Sequence, residues 1–433
     1  MRRPGFAGLK PPSPASVPRF EQPSVNPSSL NGFSALRHRN FGFYLSARLL
    51  GTIAVQMLNV AVGWQVYALT GDALNLGFIG LAQFAPFFLL VLVAGQVADQ
   101  FNRRLIIIAC YGVELSCALI LLSFTLSGFH SLWPVFASLA LFGSARAFRM
   151  PTSQAILMNL VPLQNFGNAV AISSSTFHVA VIVGPTVGGI LYLFGPATVY
   201  GASAGLFLLA ILLMTLTRIE QPPIVKETPN WNTLLEGLRF VRSRPVVLGA
   251  ISLDLFAVLF GGATALLPAY ASDILHVGPQ GLGLLRTAPG VGAALISIAL
   301  AFHPMSRRVG YWMFGGVALF GVATIVFGLS HSFWLSLLAL FVLGAADMIS
   351  VYVRHLLVQM ETPDAIRGRV SAVNAVFIGA SNELGEFESG LTAAWFGLVP
   401  AVVLGGVATL LVTATWMWRF PALRRMDRFP GNP

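Results

Sequence analysis

The stretch G-Q-V-A-D-Q-F-N-R-R, from Gly95 to Arg104, places one acidic and two basic side chains between two long apolar runs. Charge is scarce in the rest of the chain, because only 10% of its 433 residues are charged while 56% are hydrophobic. Soluble domains have roughly 25% charged residues, so this composition, with a mean hydropathy of +0.76, predicts a polytopic membrane protein. In the quoted loop, Gly95 would allow two helices to approach closely, and Asp99 would cap the following helix or pair with Arg103 or Arg104.

Composition and motifs exclude several other classes of protein. The net charge of +10 is spread singly or in pairs beside apolar runs, a pattern that suits anionic lipid headgroups and not nucleic acid. Cys110 and Cys117 lie seven residues apart in one apolar run. On a helix their Cα atoms would be roughly 10 Å apart, too far for a disulfide, so they do not indicate a redox compartment. The sequence contains no G-x-x-x-x-G-K-[ST] or H-E-x-x-H motif, so we expect neither an enzyme nor a bound cofactor or metal.

Apolar runs set the expected domain organisation. Twelve of them follow Phe41, at about 41–69, 77–98, 104–127, 132–150, 169–194, 197–217, 246–270, 281–302, 311–329, 334–359, 370–396 and 398–418. Each has about the 20 residues that a spanning helix needs. In lipid, segments of this length that are joined by short loops can form all of their backbone hydrogen bonds only as helices. We therefore expect an all-α membrane protein of 12 transmembrane helices in two pseudo-symmetric six-helix bundles, at residues 35–217 and 246–420.

The remaining segments are expected to be cytoplasmic. Residues 1–34 are rich in Pro, Ser and Asn and predict a disordered tail without a cleavable signal peptide, and 421–433 form a second tail. The linker 218–245 holds Trp231, Leu234, Leu235, Leu238 and Val241 on one helical face. That pattern predicts an amphipathic helix on the membrane surface, acting either as a structural tether or as a regulatory element.

Lys and Arg indicate the orientation of the chain. The loops near 70–76, 128–131, 195–197, 271–280, 330–333 and 397–398 contain neither residue, whereas both tails, the linker and the alternate loops are basic. By the positive-inside rule, both termini are cytoplasmic. Only Arg48 and Arg286 lie inside spans away from this pattern.

The two halves of the chain resemble each other when they are shifted by 201 positions. The matched pairs are Gly143 with Gly344, Pro162 with Pro363, Gly167 with Gly368, Gly184 with Gly385, and Gly189 with Gly390. Five matches in register indicate a duplicated half. Transporters built from such repeats bind substrate near the bilayer midplane and work by rocking one half against the other.

Three features together resemble the major facilitator superfamily. They are the two sets of six spans, the G-x-x-x-D-x-x-x-R-R loop, and A-V-I-V-G-P-T-V-G-G at Ala180–Gly189, which is similar to the antiporter signature of the superfamily's exporters. Y-L-S-A-R-L-L, E-G-L-R-F-V-R-S-R-P and T-P-D-A-I-R-G-R-V-S are similar to the branch that contains the bacterial enterobactin exporter. The resemblance covers about residues 35–425. One departure is His303–Gly310, where the counterpart of the first motif lacks its acidic residue, so a symmetrical gating role is not expected there.

The resemblance implies roles for both motifs. Gly95, Asp99, Arg103 and Arg104 would form a cytoplasmic gate, in which the charges latch the two halves together when the outside is open. In span 5, Gly184, Pro185, Gly188 and Gly189 would bend the helix and let it pack closely. The alternative for span 5 is ordinary packing of small residues without a role in coupling.

Charged and polar residues inside the spans are the candidate site. A charge at bilayer depth costs on the order of 2.5 to 3.5 kcal/mol, so each should face a cavity or a partner. The stripe Arg48, Thr52, Gln56, Asn59 and Gly63 in span 1 faces one way, and the family's fold implies that spans 1, 4, 7 and 10 line the central cavity. Opposite charges from the two halves would then meet there: Arg146 and Arg149 of span 4, Asp254 of span 7, and Asp347 and Arg354 of span 10. Asp254 or Asp347 would take up the coupling proton beside an Arg partner, or these residues would form static ion pairs.

Span 11 adds three acidic residues, of which Glu383 and Glu386 share a face and Glu388 does not. These residues are either protonatable coupling sites or partners of Arg286 in span 8. Glu114 and His178 are single residues, which favours buried hydrogen-bond partners over couplers.

These observations predict a secondary active transporter of the plasma membrane, as in the bacterial inner membrane. We expect a monomer that exports an amphipathic small molecule, siderophore-like or drug-like, by alternating access against proton entry, with the lipid bilayer as its other partner. A proton-coupled importer of a small metabolite would share nearly all these features. A transport-inactive scaffold or receptor is a second alternative, although it would not need the polar stripe of span 1.

Overall fold

The computed structural model describes residues 34–128, 131–218, 231–305, 307–363 and 366–429. Every regular element within those ranges is helical. The expected disordered tail and the linker residues 219–230 lie outside the described residues, as do residues 430–433 of the second tail.

The long helices follow the apolar runs closely. The long helices are α1 Arg39–Thr70, α2 Ala73–Gln100, α3 Arg103–Leu126, α4 Trp133–Leu157, α5 Phe166–Leu191, α6 Pro196–Leu216, α8 Pro245–Phe260, α10 Gly278–Phe302, α11 Val309–Leu329, α12 Phe333–Glu361, α13 Arg367–Phe396 and α14 Leu398–Arg419. Three shorter helices are α7 Trp231–Ser243, α9 Leu267–Ala269 and α15 Pro421–Arg424. Helix α8 is interrupted at Gly261 and Gly262, and helical turns then continue to Ile274.

Ten of these segments in the described ranges are long and apolar enough to cross a membrane. The long helices α4 and α13, of 25 and 30 residues, are not among the ten. Their sequences include Arg146 and Arg149 in α4, and Glu383, Glu386 and Glu388 in α13, which lower the mean hydropathy. The chain is therefore a helical, multi-pass membrane protein whose two most polar long helices do not have the composition of ordinary spanning segments.

Local capping residues set the helix boundaries around the first loops. Helix α1 ends at Gly71, whose φ of 60° suits a residue without a Cβ. Asp72 then accepts a hydrogen bond from the Leu74 amide and caps α2. At α3 the cap is Asn102, whose side chain accepts from the amides of Arg104 and Leu105. The expectation that Asp99 caps α3 is wrong, because Asp99 lies in the last turn of α2.

Helices α1 to α6 pack mainly on one another, and so do α8 and α10 to α14. In the first set α1 packs on α5 and α6, and α4 packs on α2 and α3; in the second set α12 packs on α10 and α11, and α14 packs on α11 and α8. Two pairs, α2 with α13 and α5 with α10, make the most extensive contacts between the sets. The short helix α7 lies against α13 and α8, with Val241 buried and Leu238 exposed. The side chains of Trp231, Leu234 and Leu235 lie outside the described residues.

Repeat-related glycines occupy corresponding interfaces. A Cβ on Gly143 of α4 would meet the backbone of Gln83 in α2, and one on Gly344 of α12 would meet the backbone of Pro289 in α10. Gly184 packs on α1 at Gln56, as Gly385 packs on α8 at Val258 and Leu259. Gly189 packs on α10 at Gly283, and Gly390 packs on α2 at Gly77. Three of the five matched pairs thus mark places where helix backbones touch directly.

Replacing Gly189 by Ala tests the close contact of α5 with α10. Its Cβ would lie 2.6 Å from the Pro279 carbonyl oxygen, so backbone must move. We expect a loss of about 1 to 3 kcal/mol, seen as a lower unfolding temperature of the purified protein in detergent. Gly201→Ala is the matched control, since no atom of the described residues lies within 4 Å of its Cβ position and Ala favours a helix. Equal unfolding temperatures for the two variants would contradict the assigned contact.

Candidate functional site

The loop between α2 and α3 ties its own set of helices together. Arg103 donates to the carbonyl oxygens of Ala98 and Ala155, at 3.2 and 3.1 Å, and to Asn159 Oδ1 at 2.7 Å. Arg104 donates to the carbonyl oxygens of Met214, at 3.0 Å, and Thr215. These contacts place two cations at the carboxyl ends of α4 and α6, where the helix dipoles favour them. The described contacts join α3 to α4 and α6 within the first set.

For the other two residues of that motif the structure gives little. No described atom comes within 4 Å of the Cβ position at Gly95, and the close helix approach expected there stays a prediction. The side chain of Asp99 lies outside the described residues.

The G-P-x-x-G-G motif of α5 contacts two helices at once. Cβ atoms on Gly184 and Gly188 would lie 2.6 Å from Gln56 Cβ and 2.9 Å from Met57 Cα, both in α1. On the opposite side, a Cβ on Gly283 of α10 would lie 2.6 Å from the Pro185 carbonyl oxygen. One side of the motif therefore packs inside the first set, while Pro185 and Gly189 form the contact between the sets.

A cavity of about 440 Å³ lies among α1, α2, α4 and α5. Its walls are Arg48, Thr52, Val55, Gln56, Asn59, Gln83, Phe142, Arg146, Arg149, Met150, Ser153, Gln154, Phe177 and Val181. The structure thus brings the predicted stripe of span 1 together with both arginines of span 4. A cavity with three guanidinium groups, several amides and aromatic rings suits an amphipathic molecule with negative charge.

Each arginine of the wall has a different partner. Arg48 donates to the Ser173 hydroxyl of α5, and its guanidinium lies 5.8 Å from the Phe177 ring centroid. Arg149 pairs with the fully buried Glu114 of α3 at 3.0 Å, in line with a buried hydrogen-bonding role for that carboxylate. Arg146 of α4 pairs with Glu383 of α13, and this is an ion pair between the two sets of helices.

Two smaller pockets extend the cavity toward α10 and α13. They measure about 100 and 140 Å³, and Arg286 and Glu386 line both. The first is also lined by Asn59, Arg146 and Glu383, and it shares Asn59 and Arg146 with the large cavity. Two carboxylates of span 11, Glu383 and Glu386, and two arginines, Arg146 and Arg286, therefore line one pocket of about 100 Å³ between the sets.

The expectation that Asp254 and Asp347 line the central cavity needs correction. Asp254 of α8 pairs with Arg354 of α12, so both partners come from the second set, and both side chains are less than 10% exposed at 6% and 4%. Asp254 and Asp347 line a separate space of about 10 Å³ with Val317 and Phe320. These two carboxylates do not reach the central cavity because, at these positions, α8 and α12 turn their side chains toward α11 and not toward the first set. The partner that the second set offers Arg146 is Glu383 of α13.

Among the described residues, several contacts between the sets lie near the end of the molecule that holds Thr70, Leu191, Gly278 and Phe396, called here the closed end. There Tyr67 donates to Asp273, and the hydroxyls of Thr186 and Thr287 are 2.8 Å apart. Toward the opposite end, called the basic end, Phe177 and Val179 of α5 are exposed. The large cavity extends in that direction, from Asn59 to Gln154.

Comparisons with known proteins identify the family. A family model described as transmembrane secretion effector, of the major facilitator superfamily, matches residues 30–432. The chain belongs to this family of membrane transporters. It is 26% identical over 404 residues to the enterobactin exporter of Citrobacter koseri, covering 92% of this chain and 95% of that protein. It is also 26% identical over 394 residues to the enterobactin exporter of Escherichia coli O81, covering 87% of this chain and 92% of that protein.

Solved structures share the fold. An inward-facing, unoccupied bacterial homolog of the human lysosomal transporter Spinster has a TM-score of 0.71 at 17% identity, over 91% of this chain and 99% of that one. A POT family transporter in complex with a thioalcohol-conjugated peptide has a TM-score of 0.73 at 12% identity, over 89% and 97% of the two chains. At these identities the likeness concerns the fold alone.

Several wall residues escaped the sequence analysis. Gln83, Gln154 and Phe177 line the large cavity but lie outside the polar stripe of span 1. The two glutamines carried a usable signal, since an amide inside an apolar run needs a polar partner or a wet surface. Phe177 carried none, because an aromatic residue in a spanning helix faces lipid as readily as a cavity.

A double-mutant cycle measures the ion pair between the sets. For Arg146→Ala and Glu383→Ala we expect a coupling energy of about 1 to 2 kcal/mol in unfolding of the purified protein, because the Glu383 side chain is only 7% exposed. The matched control is the pair Arg369 with Glu236, whose side chains are 37% and 50% exposed, with an expected coupling below about 1 kcal/mol. If the effects of Arg146→Ala and Glu383→Ala on the free energy of unfolding add, the two side chains do not interact, and the ion pair is contradicted.

Proposed function

We propose that this chain is a secondary active exporter that moves an amphipathic, anionic small molecule out of the cytoplasm in exchange for protons. The single observation behind the proposal is the arginine-rich cavity of about 440 Å³, joined through Arg146 and Glu383 to carboxylates of the other set of helices. A transport cycle needs both parts, a site for cargo and an ionisable link between the moving halves.

The proposed topology is twelve spans in two bundles of six, with both termini in the cytoplasm. Helices α1 to α6 form the first bundle, and α8, continued to Ile274, with α10 to α14 forms the second. Helices α4 and α13 are counted as spans because both are long enough to cross the bilayer. Their charged side chains are compatible with that depth, since they have ion-pair partners or face a cavity. The loops at the basic end hold the Lys and Arg residues, so this end is cytoplasmic by the positive-inside rule, and the structure is then an inward-facing state of a monomer.

The substrate proposal rests on the chemistry of the wall. Arg48 and Arg146 present guanidinium groups that bind carboxylate, phosphate or catecholate oxygens in pairs. Phe142, Phe177 and Val181 give the apolar surface for the rest of the molecule. The two relatives are enterobactin exporters, which favours a siderophore-like cargo over a simple metabolite.

The coupling proposal assigns the proton to the carboxylates between the bundles. Protonation of Glu383 in the cargo-free protein would release its ion pair with Arg146 and allow the return step. Loss of that proton to the cytoplasm would precede cargo binding, so that proton and cargo move in opposite directions. Glu386 shares its two pockets with Arg286 and is placed to relay the proton toward the closed end. One charge crossing about 100 mV supplies roughly 2.3 kcal/mol, which corresponds to an approximately fifty-fold gradient at 1.4 kcal/mol per tenfold. The negative charge of the cargo adds to this driving force, because the membrane potential also favours the outward movement of an anion.

Transport direction and coupling are tested in inverted membrane vesicles energised to pump protons inward. We expect accumulation of a catecholate siderophore probe inside them, because their lumen corresponds to the outside, and loss of accumulation with an uncoupler. Glu383→Gln and Glu386→Gln should lower accumulation at least tenfold. Asp72→Asn is the control, since it keeps a good helix cap at the exposed end of α2. Accumulation in right-side-out vesicles instead would make the chain an importer, and wild-type accumulation that an uncoupler does not reduce would contradict proton coupling.

Substrate charge is tested at Arg48. We expect Arg48→Gln to raise the KM for an anionic probe roughly tenfold or more, because a charge-assisted hydrogen bond contributes about 1.5 to 3 kcal/mol, with a smaller effect on a neutral probe of similar size. Arg39→Gln removes an exposed arginine at the start of the same helix and should change neither KM. Equal effects of Arg48→Gln on both probes would assign Arg48 a structural role.

A further inference from the structure

The cluster of Asp254, Arg354, Asp347 and Ser350 lies away from the cargo cavity, in the second set of helices. Asp254 and Arg354 form a buried ion pair, with 4% and 3% of each residue exposed. Asp347 and Ser350 lie three positions apart on α12, so they share a face of that helix. Asp254, Asp347 and Ser350 line one closed space of about 10 Å³ against Val317 and Phe320 of α11.

The charges of this cluster do not balance. The charged groups that face Asp347 are Asp254 of α8 and Arg354 of α12, while α11 presents only apolar side chains to the space. Two carboxylates and one guanidinium leave one negative charge within the membrane-spanning segments, where Asp347 is only partly buried. A charge of that kind needs a counter-charge or must be neutralised.

Ser350 points to a ligand independently of the charge count. Its residue is 2% exposed, and its hydroxyl oxygen has no hydrogen-bond partner among the described residues. Buried hydroxyls in proteins are nearly always paired, so an orphan beside an unbalanced carboxylate indicates a missing partner. The space of about 10 Å³ is close to the volume that holds one water molecule, which is also enough for a small ion.

We infer that Asp347, Asp254 and Ser350 form a binding site for one monovalent cation of the size of Na⁺. Carboxylate and hydroxyl oxygens are the ligands that hard cations prefer, and one positive charge makes the cluster neutral, whereas a divalent ion would leave it positive. The competing occupant is a proton on Asp347 together with one water molecule in the space, which would not respond to Na⁺. The site is separate from the proposed export function, since it stands or falls on binding and not on transport.

The test is the unfolding temperature of the purified full-length chain in detergent, titrated with NaCl at constant ionic strength against choline chloride. We expect Na⁺ to raise the unfolding temperature of the wild type by about 2 °C or more at saturation. Asp347→Asn should abolish this rise. Ser350→Ala should shift the half-maximal Na⁺ concentration roughly tenfold upward, which is the loss of about 1.4 kcal/mol of binding.

Ser336→Ala is the matched control, because Ser336 is a fully buried serine of the same helix that bonds to Ser330. It should lower the unfolding temperature without changing the Na⁺ response. If wild type shows no Na⁺ response, or if Asp347→Asn and Ser350→Ala respond as wild type does, the site does not exist. A response to pH that Asp347→Asn removes, without any response to Na⁺, would show that a proton is the only occupant and would equally overturn the inference.

Discussion

The site depends on the ion pair between Arg146 and Glu383, because this pair joins the two sets of helices through opposite charges. An isolated charge at bilayer depth costs on the order of 2.5 to 3.5 kcal/mol, so neither residue is tolerated alone beside lipid. Paired between the two sets, each charge offsets the other and each side chain fixes the position of its partner. In the proposed cycle this link would open when a proton or a competing anion replaces one partner.

The other buried pairs differ from this one in which helices they join. Arg149 with Glu114, and Arg354 with Asp254, each join helices of one set. If the two sets move as bodies, these pairs stay intact through the motion and stabilise each set as a unit. The pair formed by Arg146 and Glu383 is different, since separation of the sets must break it. Position in the architecture, and not burial, separates a structural ion pair from one suited to coupling.

The fold was largely predictable from the sequence, since apolar runs of spanning length fix helices within a few residues of their observed ends. Residues on a single helix were also predictable: the stripe from Arg48 to Asn59 follows from helical spacing alone. Partners across helices were not. Spacing places Asp347 and Arg354 on one face of α12, but it does not say that this face turns to α11, nor that Arg146 meets Glu383 of α13. Asn102, and not Asp99, caps α3, because the side chain just before a helix competes best for its free amides.

Small residues explain how the closed end can be tight and still part in the proposed cycle. At Gly77 with Gly390, and at Gly189 with Gly283, backbones touch without interlocking side chains. Two smooth surfaces of this kind separate without rotamer changes, whereas interdigitated leucines would have to disengage one by one. The polar contacts at that end, Tyr67 with Asp273 and Thr186 with Thr287, involve groups that water can satisfy once the sets part. The closed end is therefore stabilised by contacts whose loss costs little in an aqueous opening, which is what a reversible gate requires.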